Sequence, residues 1–277
     1  MNSEVDLSII IINYNTFQLT CSCIQSIIDK TNGCTCEIIL VDNGSTERPA
    51  EDFLQVVPQI KLIQSRVNLG FAKGNNAGIE HALGNYILLL NSDTILINDA
   101  IRTCLDFAMN NNSVAVTTAR LEYPEGVVQH NCQRFPSVKF KVFELFRIQK
   151  ILGREAGGKI LYGSFFDHRS RAYPDWVWGT FFLFQKRLLQ YLPGKKLNDD
   201  YFMYGEDMQW CKAFKNLGYR VAFLPEARVL HLMGGSAGKK SEMMETNLNL
   251  FMKGNYSWLN RMLIKIFNFL LTGKYEY

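Results

Sequence analysis

LSIIIINYN, residues 7–15, is a run of β-branched residues that stops abruptly on polar side chains. A continuous apolar run of this length predicts a strand buried on both faces, which is typical of a parallel sheet. Residues 16–31 then place apolar side chains at helical spacing, and two later runs end in the same way, at VDNGS (41–45) and LLLNSD (88–93). This alternation predicts an α/β fold with a Rossmann-like, mainly parallel sheet flanked by helices.

The polar residues that end these strands form three clusters. They are Asn13-Tyr14-Asn15, Asp42-Asn43-Gly44-Ser45 and Asn91-Ser92-Asp93. Parallel α/β sheets bind ligands beyond the carboxyl ends of their strands, so we expect a ligand site there. Local alternatives stay open, because an Asn-Gly turn and an Asp helix cap both produce such sequences.

The rest of the chain predicts a second half of the same sheet. A helix is expected at about 98–110, followed by a strand in SVAVTTARLEY (113–123). The periodicity then degrades, and we expect a surface excursion from 124 to 175. Regular structure returns with WVWGTFFLFQK (176–186), a helix in DMQWCKAFKNLG (207–218) and a strand in YRVAFLP (219–225).

Composition excludes several classes of protein. The chain has 277 residues, of which 47% are apolar and 20% charged, so it is globular. A net charge of +4 is too small for a nucleic-acid partner. Seven cysteines, an odd number, and an acidic start without signal-peptide features predict a cytoplasmic protein with free thiols rather than zinc ligands.

Four motifs in fixed order carry a resemblance to a known family. They are IIIINYN (9–15), VDNGST (41–46), NLGFAKGNNAGI (68–79) and LLLNSDT (88–94). Together they resemble an inverting family 2 glycosyltransferase with the GT-A fold, of rhamnosyltransferase-like type. The resemblance continues through WVWGTFFLFQK, YFMYGEDMQWC (201–211) and HLMGGS (231–236).

The resemblance implies a nucleotide-sugar site at the strand ends. Tyr14, between Asn13 and Asn15, would lie against the nucleobase, and Asp42 would accept from the base or the ribose. Asn91 and Ser92 occupy the start of the family's D-x-D motif, where Asn91 replaces the first acid. The segment containing Asn68, Lys73 and Asn75 adds amides and a lysine at a helix start, and helix N-termini favour anions.

A metal site is implied at the end of the same motif. Asp93 would be its metal-binding carboxylate, with Mg²⁺ or Mn²⁺ bridging to substrate phosphates. His231 matches a family histidine that completes the metal site or touches the diphosphate. The alternative for His231 is a hydrogen-bonded histidine of the core.

Glu206 and Asp207 are the candidate catalytic residues. In the resembling family the Asp of this pair is the general base, which takes the proton of the attacking acceptor hydroxyl. Glu206 would position the acceptor or a neighbouring donor, although acids in a first helical turn also serve as dipole partners. For the acceptor or sugar subsite we select Trp178, Gly179 and Arg134, since aromatic faces pack on sugars and glycine permits close approach.

The C-terminal segment mixes Trp, Phe and Leu with basic residues at helical intervals. We expect an amphipathic helical tail at 237–277, after a nucleotide-sugar-binding half (1–115) and an acceptor-binding and catalytic half (116–236). Residues 255–277 suit peripheral contact with the inner face of the plasma membrane. Packing on the domain and a homodimer contact are the alternatives.

These features predict a metal-dependent glycosyltransferase. The expected donor is a dTDP- or UDP-linked sugar, with rhamnose as one candidate, and the expected acceptor is a hydroxyl of a polysaccharide or lipid-linked glycan. A nucleotidyltransferase and a non-catalytic nucleotide-sugar-binding or scaffold subunit remain as alternatives. The first of these usually has a glycine-rich basic loop after the first strand, where this chain has NYNTFQLT (13–20).

Overall fold

The computed structural model describes residues 5–232 and 240–273. Within these ranges the strands are β1 (Leu7–Asn13), β2 (Cys36–Asn43), β3 (Lys61–Ser65), β4 (Tyr86–Asn91), β5 (Thr94–Leu96), β6 (Val114–Glu122), β7 (Cys132–Gln133), β8 (Trp176–Val177), β9 (Phe181–Gln185) and β10 (Arg220–His231). The helices are α1 (Phe17–Lys30), α2 (Asp52–Val56), α3 (Phe71–Ile79), α4 (Ala100–Asn110), α5 (Val138–Leu145), α6 (Ile148–Ile151), α7 (Arg154–Leu161), α8 (Glu206–Asn216), α9 (Lys240–Asn255) and α10 (Trp258–Thr272). Short 3₁₀ helices lie at Gly163–Phe165, Lys186–Tyr191 and Pro193–Lys195.

Eight strands form one sheet in the order β3-β2-β1-β4-β9-β6-β10-β5. The β1–β2, β1–β4, β2–β3 and β6–β10 pairs are parallel, whereas β9 is antiparallel to both β4 and β6. The short strand β5 is antiparallel to β10. The predicted α/β fold with a mainly parallel sheet flanked by helices is confirmed, and its architecture is the GT-A fold.

Side chains of the central strands alternate between two apolar layers. Ile10 and Leu89 pack in the layer that contains Trp210 of α8, whereas Ile9 and Leu88 pack in the layer that contains α1 and α4. All four aliphatic residues are completely buried. Burial on both faces explains why these strands read as continuous apolar runs.

The excursion at 124–175 contains more structure than the sequence predicts. It holds α5, α6, α7 and β7, which pairs with β8 directly after the excursion, and Phe166 and His168 within it are completely buried. Phe166 and His168 both pack their rings against Phe223 of β10. The expectation of a purely surface segment is wrong, because short helices interrupted by glycines do not sustain a helical period.

The described part of the predicted helical tail contains two helices. Helix α9 places Phe251 and Met252 in the core, so it is an integral part of the domain, and α10 packs along α5 and α9. Residues 233–239 and 274–277, which include most of HLMGGS and both ends of the predicted tail, lie outside the described residues. Within the described ranges, no helix combines the length and hydropathy that crossing a bilayer requires.

Candidate active site

The carboxyl ends of β1 and β2 are joined by one buried asparagine. Asn13 donates from Nδ2 to Asp42 Oδ1 at 2.8 Å and to Ser45 Oγ at 2.9 Å. Its Oδ1 accepts from the Thr16 backbone N–H and from the hydroxyls of Thr16 and Thr20. Asn13 is therefore a structural link that fixes Asp42 beside the start of α1, and all of its side-chain polar atoms are engaged.

Tyr14 and Asn15 follow directly and have different surroundings. Asn15 adopts the left-handed region with φ of 55°, and its Oδ1 accepts from the backbone N–H groups of Thr46 and Glu47. This ties the end of β1 to the turn after β2. Tyr14 is 48% exposed, which leaves its ring free to face a ligand beside Asp42.

A second amide pair shapes the start of α3. Asn43 donates to Asn68 Oδ1 at 3.1 Å and accepts from the Leu69 N–H, while Asn68 Oδ1 also accepts from the Gly70 N–H. Gly44 must be glycine, because its φ is 78° and a Cβ would lie 2.5 Å from the Val67 backbone. The turn at Gly44 therefore packs directly against the backbone at Val67, and no side chain fits between them.

The remaining candidates of this segment behave differently from each other. Asn75 is 1% exposed and donates to the Phe71 carbonyl at 3.0 Å, so its side chain stabilises the first turn of α3. Lys73 lies on the exposed side of the same helix. Of these two predicted binding residues, only Lys73 has its side chain exposed to solvent.

The Asn91-Ser92-Asp93 segment joins β4 to β5, and it is hydrogen-bonded to Thr180, the residue before β9. Ser92 Oγ hydrogen-bonds Thr16 Oγ1 at 3.1 Å, which attaches this strand end to that of β1. The Asn91 N–H donates to the Thr180 carbonyl, and Asn91 Oδ1 is buried without a hydrogen-bond partner among the described residues. A buried, unpaired amide oxygen is costly and marks a position that a ligand can satisfy.

Asp93 and His231 are brought together by pairing of β5 with β10. Thr94 lies opposite His231 in this antiparallel pair, and the Leu232 N–H donates to the Asp93 carbonyl. His231 Nε2 lies 3.4 Å from Asp93 Oδ1. A carboxylate and an imidazole that are far apart in the chain thus form a pair at the edge of the sheet.

Gln129 fixes the orientation of the imidazole. Its Oε1 lies 2.7 Å from His231 Nδ1, and its Nε2 donates to the His231 carbonyl at 2.9 Å. When Nδ1 donates to Gln129, Nε2 presents a lone pair toward the Asp93 carboxylate. The two atoms then present lone pairs to the same space, which is the arrangement that metal ligands have.

This donor set fits a divalent cation that is shared with a substrate. One carboxylate, one oriented imidazole and the nearby Asn91 oxygen are suitable ligands for Mn²⁺ or Mg²⁺. Among the described residues, no group of three or more His, Cys, Asp or Glu side chains is arranged to hold a metal. Water or phosphate oxygens of a ligand would therefore complete the coordination.

Asp207 is held at the start of α8 by backbone donors. The Gly179 N–H donates to Oδ2 at 3.1 Å, and the Met208 N–H donates to Oδ1 at 2.8 Å. Gly179 directly precedes Thr180, whose carbonyl pairs with Asn91, so Asp207 is anchored to the same strand end. Burial raises the pKa of Asp207 to about 6, although the backbone donors oppose this shift.

Glu206 has a more extreme environment. It is 4% exposed, and its Oε2 has no hydrogen-bond partner among the residues described. Burial and the neighbouring charge of Asp207 raise the pKa of Glu206 well above its ordinary value. Glu206 therefore holds its proton more tightly than an exposed glutamate does, whereas Asp207, with a pKa of about 6, is mostly ionised near neutral pH.

The loop before α8 is braced from two sides. The Phe202 carbonyl accepts from the Phe71 N–H of α3 at 2.7 Å, and Asn247 of α9 donates to the carbonyls of Met203 and Tyr204. Tyr204 has a positive φ of 67°, so this backbone needs such support. The predicted tail thus holds the loop that precedes the candidate catalytic residues Glu206 and Asp207.

The three subsite candidates are placed differently. Gly179 contacts the active carboxylate, and a Cβ there would lie 3.0 Å from the Phe71 ring. Trp178 is half-buried against the apolar layer that contains α1 and α4. Arg134 donates to the Lys159 and Ile160 carbonyls at the end of α7, so its guanidinium serves the excursion rather than the strand-end cluster.

The sequence of the site region matches a known family model. The model of Glycosyl transferase family 2 covers residues 8–171, more than half of the chain. The chain belongs to glycosyl transferase family 2. The matched region includes all three strand-end clusters, and β10 with His231 lies beyond it.

A sequence relative agrees with this assignment, and solved structures of low identity share the fold. Glycosyltransferase GlyG of Streptococcus pneumoniae serotype 4 is 28% identical over 154 residues, 54% of this chain and 50% of that protein. A structure of GalNAc-T7 with UDP, GalNAc and Mn²⁺ superposes with a TM-score of 0.65 and 12% identity over 90% of this chain and 48% of the other. A mannosyltransferase from Pyrobaculum calidifontis with GDP-Man and Mn²⁺ gives 0.61 and 14%, over 90% and 64%. The match to GlyG thus spans half of that relative's length.

The sequence did not identify several residues that build the site. Gln129, Asn247 and Ser45 orient candidate groups, yet only Ser45 lies in a quoted motif. Gln129 is 102 positions from His231, and Asn247 is 43 positions from Tyr204. No local pattern signals such partners, because they are set by tertiary contacts.

Proposed function

We propose that this family 2 member is a metal-dependent, inverting glycosyltransferase. It moves a hexosyl or rhamnosyl group from a dTDP- or UDP-linked sugar to a hydroxyl of a polysaccharide or lipid-linked glycan. One observation carries the proposal. The Gly179 N–H donates to Asp207, and the adjacent Thr180 carbonyl accepts from Asn91, in the same segment as Asp93, which lies beside His231.

Asp207 is suited to be the general base. Its pKa of about 6 leaves it ionised near neutral pH yet basic enough to accept the proton of an attacking hydroxyl. Gly179 and Met208 hold both carboxylate oxygens and so fix the direction of the free lone pairs. One such carboxylate is sufficient for a single displacement at the anomeric carbon, which inverts its configuration.

Other residues serve the leaving group and the donor. Asp93 and His231 would hold Mg²⁺ or Mn²⁺, and this cation would neutralise charge on the departing diphosphate when bound. Tyr14 is exposed beside Asp42, which is consistent with a nucleobase that stacks on the ring and donates to the carboxylate. Glu206 has a raised pKa and a buried Oε2 without a partner among the described residues, so it would position the acceptor or the sugar through a hydrogen bond.

A panel of nucleotide sugars tests this function. Release of nucleoside diphosphate from dTDP-rhamnose, UDP-glucose, UDP-galactose and GDP-mannose would be measured with and without Mn²⁺, together with the melting temperature. We expect one dTDP- or UDP-linked donor to raise the melting temperature and to be consumed only with metal. Asp93→Ala should lose the metal-dependent stabilisation, whereas Asp207→Asn should keep it and lose turnover.

The alternatives predict different outcomes. Stabilisation by a donor without turnover across several acceptors would favour the scaffold subunit. A complete lack of stabilisation by every nucleotide would contradict the transferase function, and the strand-end acids would then be turn and cap residues.

A further inference from the structure

Two of the seven cysteines differ from the others in their exposure to solvent. Cys36 is exposed and Cys34 is partly exposed. The other five are buried, namely Cys21, Cys23, Cys104, Cys132 and Cys211. The two accessible thiols are also neighbours, because only Thr35 separates them in the chain. A thiol reagent in solution can therefore reach this pair without any unfolding of the core.

The loop that carries the pair is held from two sides. The backbone N–H and the hydroxyl of Thr35 donate to Asp6 Oδ2 at 3.0 and 2.8 Å, and the Thr35 carbonyl accepts from the Asp6 N–H at 2.9 Å. The Gly33 carbonyl accepts from the guanidinium of Arg102 in α4. Both cysteines thus follow directly from residues whose backbone is fixed.

The two thiols interact with each other. Cys34 donates a hydrogen bond to the sulfur of Cys36, which lowers the pKa of the Cys36 thiol, although burial and the charge of Asp6 oppose this shift. The same hydrogen bond and burial raise the pKa of Cys34. Cys36 is therefore the thiol that ionises first, and Cys34 keeps its proton beside it.

The spacing of the pair also suits a covalent link. The Cα atoms of residues two positions apart are separated by at most about 7 Å. Disulfides join residues whose Cα atoms lie about 4–7 Å apart. Because the side chains already meet, a bond between the two sulfurs requires only a local adjustment of the loop.

We propose that Cys34 and Cys36 form a reversible modification site, at which a low-molecular-weight disulfide converts the two thiols into an internal disulfide. The Cys36 thiolate attacks one sulfur of the small disulfide, whose S–S bond breaks and releases the first small thiol. Cys34 then loses its proton and attacks the Cys36 sulfur, which releases the second small thiol. The protein is oxidised by loss of two hydrogens, and the small disulfide is reduced to two thiols.

This site lies apart from the candidate active site. Cys36 begins β2 opposite Leu7, whereas Asp42 lies near the other end of the strand, opposite Asn13. At the usual rise of a strand, Cys36 and Asp42 are about 20 Å apart. The proposal therefore does not depend on the proposed function, and its success or failure leaves the transferase assignment unchanged.

Intact mass spectrometry of the full chain tests the proposal. The reduced protein would be treated with glutathione disulfide in the presence of EDTA, which prevents oxidation catalysed by trace metals. We expect a product that has lost two hydrogens and carries no glutathione, and dithiothreitol should restore the original mass. Tryptic peptide 31–61 contains both cysteines and no other, so the loss should map to this peptide.

Three variants separate the roles of the two thiols. Cys34→Ser should stop after the first step and retain one glutathione, because no second thiol can displace it. Cys36→Ser should react at least about tenfold more slowly, since the remaining thiol is less exposed and keeps its proton. Cys21→Ser is the matched control, because Cys21 is the least buried of the other five, and it should form the internal disulfide at the unchanged rate.

Two results for the unchanged protein would overturn the proposal, and neither requires a variant to fold. Addition of two glutathiones without loss of two hydrogens would show that the thiols react independently. A loss of two hydrogens that leaves peptide 31–61 reduced would place the disulfide between other cysteines. Among the variants, an unchanged rate in Cys36→Ser would remove Cys36 as the attacking thiol and would contradict the proposed sequence of steps.

Discussion

Two polar regions near the carboxyl ends of the strands differ in how their buried polar atoms are paired. The amide cluster, formed by Asn13, Asp42, Asn43, Ser45 and Asn68, is internally paired through short hydrogen bonds. The catalytic edge, formed by Asn91, Asp93, Glu206, Asp207 and His231, contains two buried oxygens that lack partners among the described residues. It also contains two carboxyl groups whose pKa values are raised by burial.

This difference separates a region that stabilises the backbone from a region whose groups suit ligand binding and proton transfer. Satisfied buried amides stabilise a fixed backbone, because each loses little by leaving water. Unpaired oxygens and desolvated acids cost stability and persist where a ligand or a proton transfer uses them. We therefore expect substitutions in the amide cluster to lower stability and substitutions at the catalytic edge to lower activity.

The largest effect should come from Asp207→Asn. Removal of the general base should lower kcat/KM by about 10²–10⁴-fold, measured by release of nucleoside diphosphate. A carboxyl group with a raised folded-state pKa stabilises the fold below its ordinary value of 3.8, and this contribution is lost as pH rises through about 6. The melting temperature at neutral pH should therefore not fall.

Asp200→Asn is the matched control for this variant. Asp200 is an exposed carboxylate in the segment before α8, so both activity and melting temperature should stay unchanged. Full activity of Asp207→Asn would remove Asp207 from the mechanism.

Asn13→Ala tests the other region and should mainly affect stability. The substitution leaves Asp42 and Thr20 without their buried partner, which should lower the free energy of unfolding by about 2–3 kcal/mol. Urea unfolding measures the change. Asn249→Ala, at a partly exposed position of α9, should stay within about 0.5 kcal/mol of the unchanged protein. Equal losses in the two variants would break the distinction between the regions.

Gln129→Ala should weaken metal affinity at the catalytic edge. Loss of the partner of His231 Nδ1 should raise the dissociation constant for Mn²⁺ about 10–100-fold, because the ring is no longer oriented. Calorimetric titration with nucleoside diphosphate present measures this constant. Gln55→Ala, on the exposed side of α2, should not change it. An unchanged constant in Gln129→Ala would argue that His231 is not a metal ligand.

The smallest effect is a pH dependence. Since Asp207 must be ionised to act, kcat/KM should fall on the acid side of pH 6 and reach about one tenth of its plateau at pH 5. Glu206→Gln should leave this acid limb in place, because the limb is assigned to the ionisation of Asp207. A shift of the limb in Glu206→Gln would show instead that the two acids titrate as a pair.

Much of the fold was readable because strands buried on both faces leave unbroken apolar runs. The parallel core of β1, β2 and β4 and the polar residues at its strand ends were predicted from this pattern. The antiparallel insertion of β9 was not, since a buried strand reads alike in either direction. The three helices of 138–161 were missed because they are short and interrupted by glycine.

For the site, the order of residues was enough to predict which side chains follow the strands, and these include Asp42, Asp93 and His231. The periodicity of burial is a local property, so it can be read from consecutive residues. Folding of the whole chain was needed to bring Asp93 to His231, to place Gly179 beside Asp207 and to leave Leu259 and Leu270 of α10 exposed. These are contacts between distant segments, and desolvation, which sets the protonation of Glu206 and Asp207, depends on what packs around a group rather than on its neighbours in the chain.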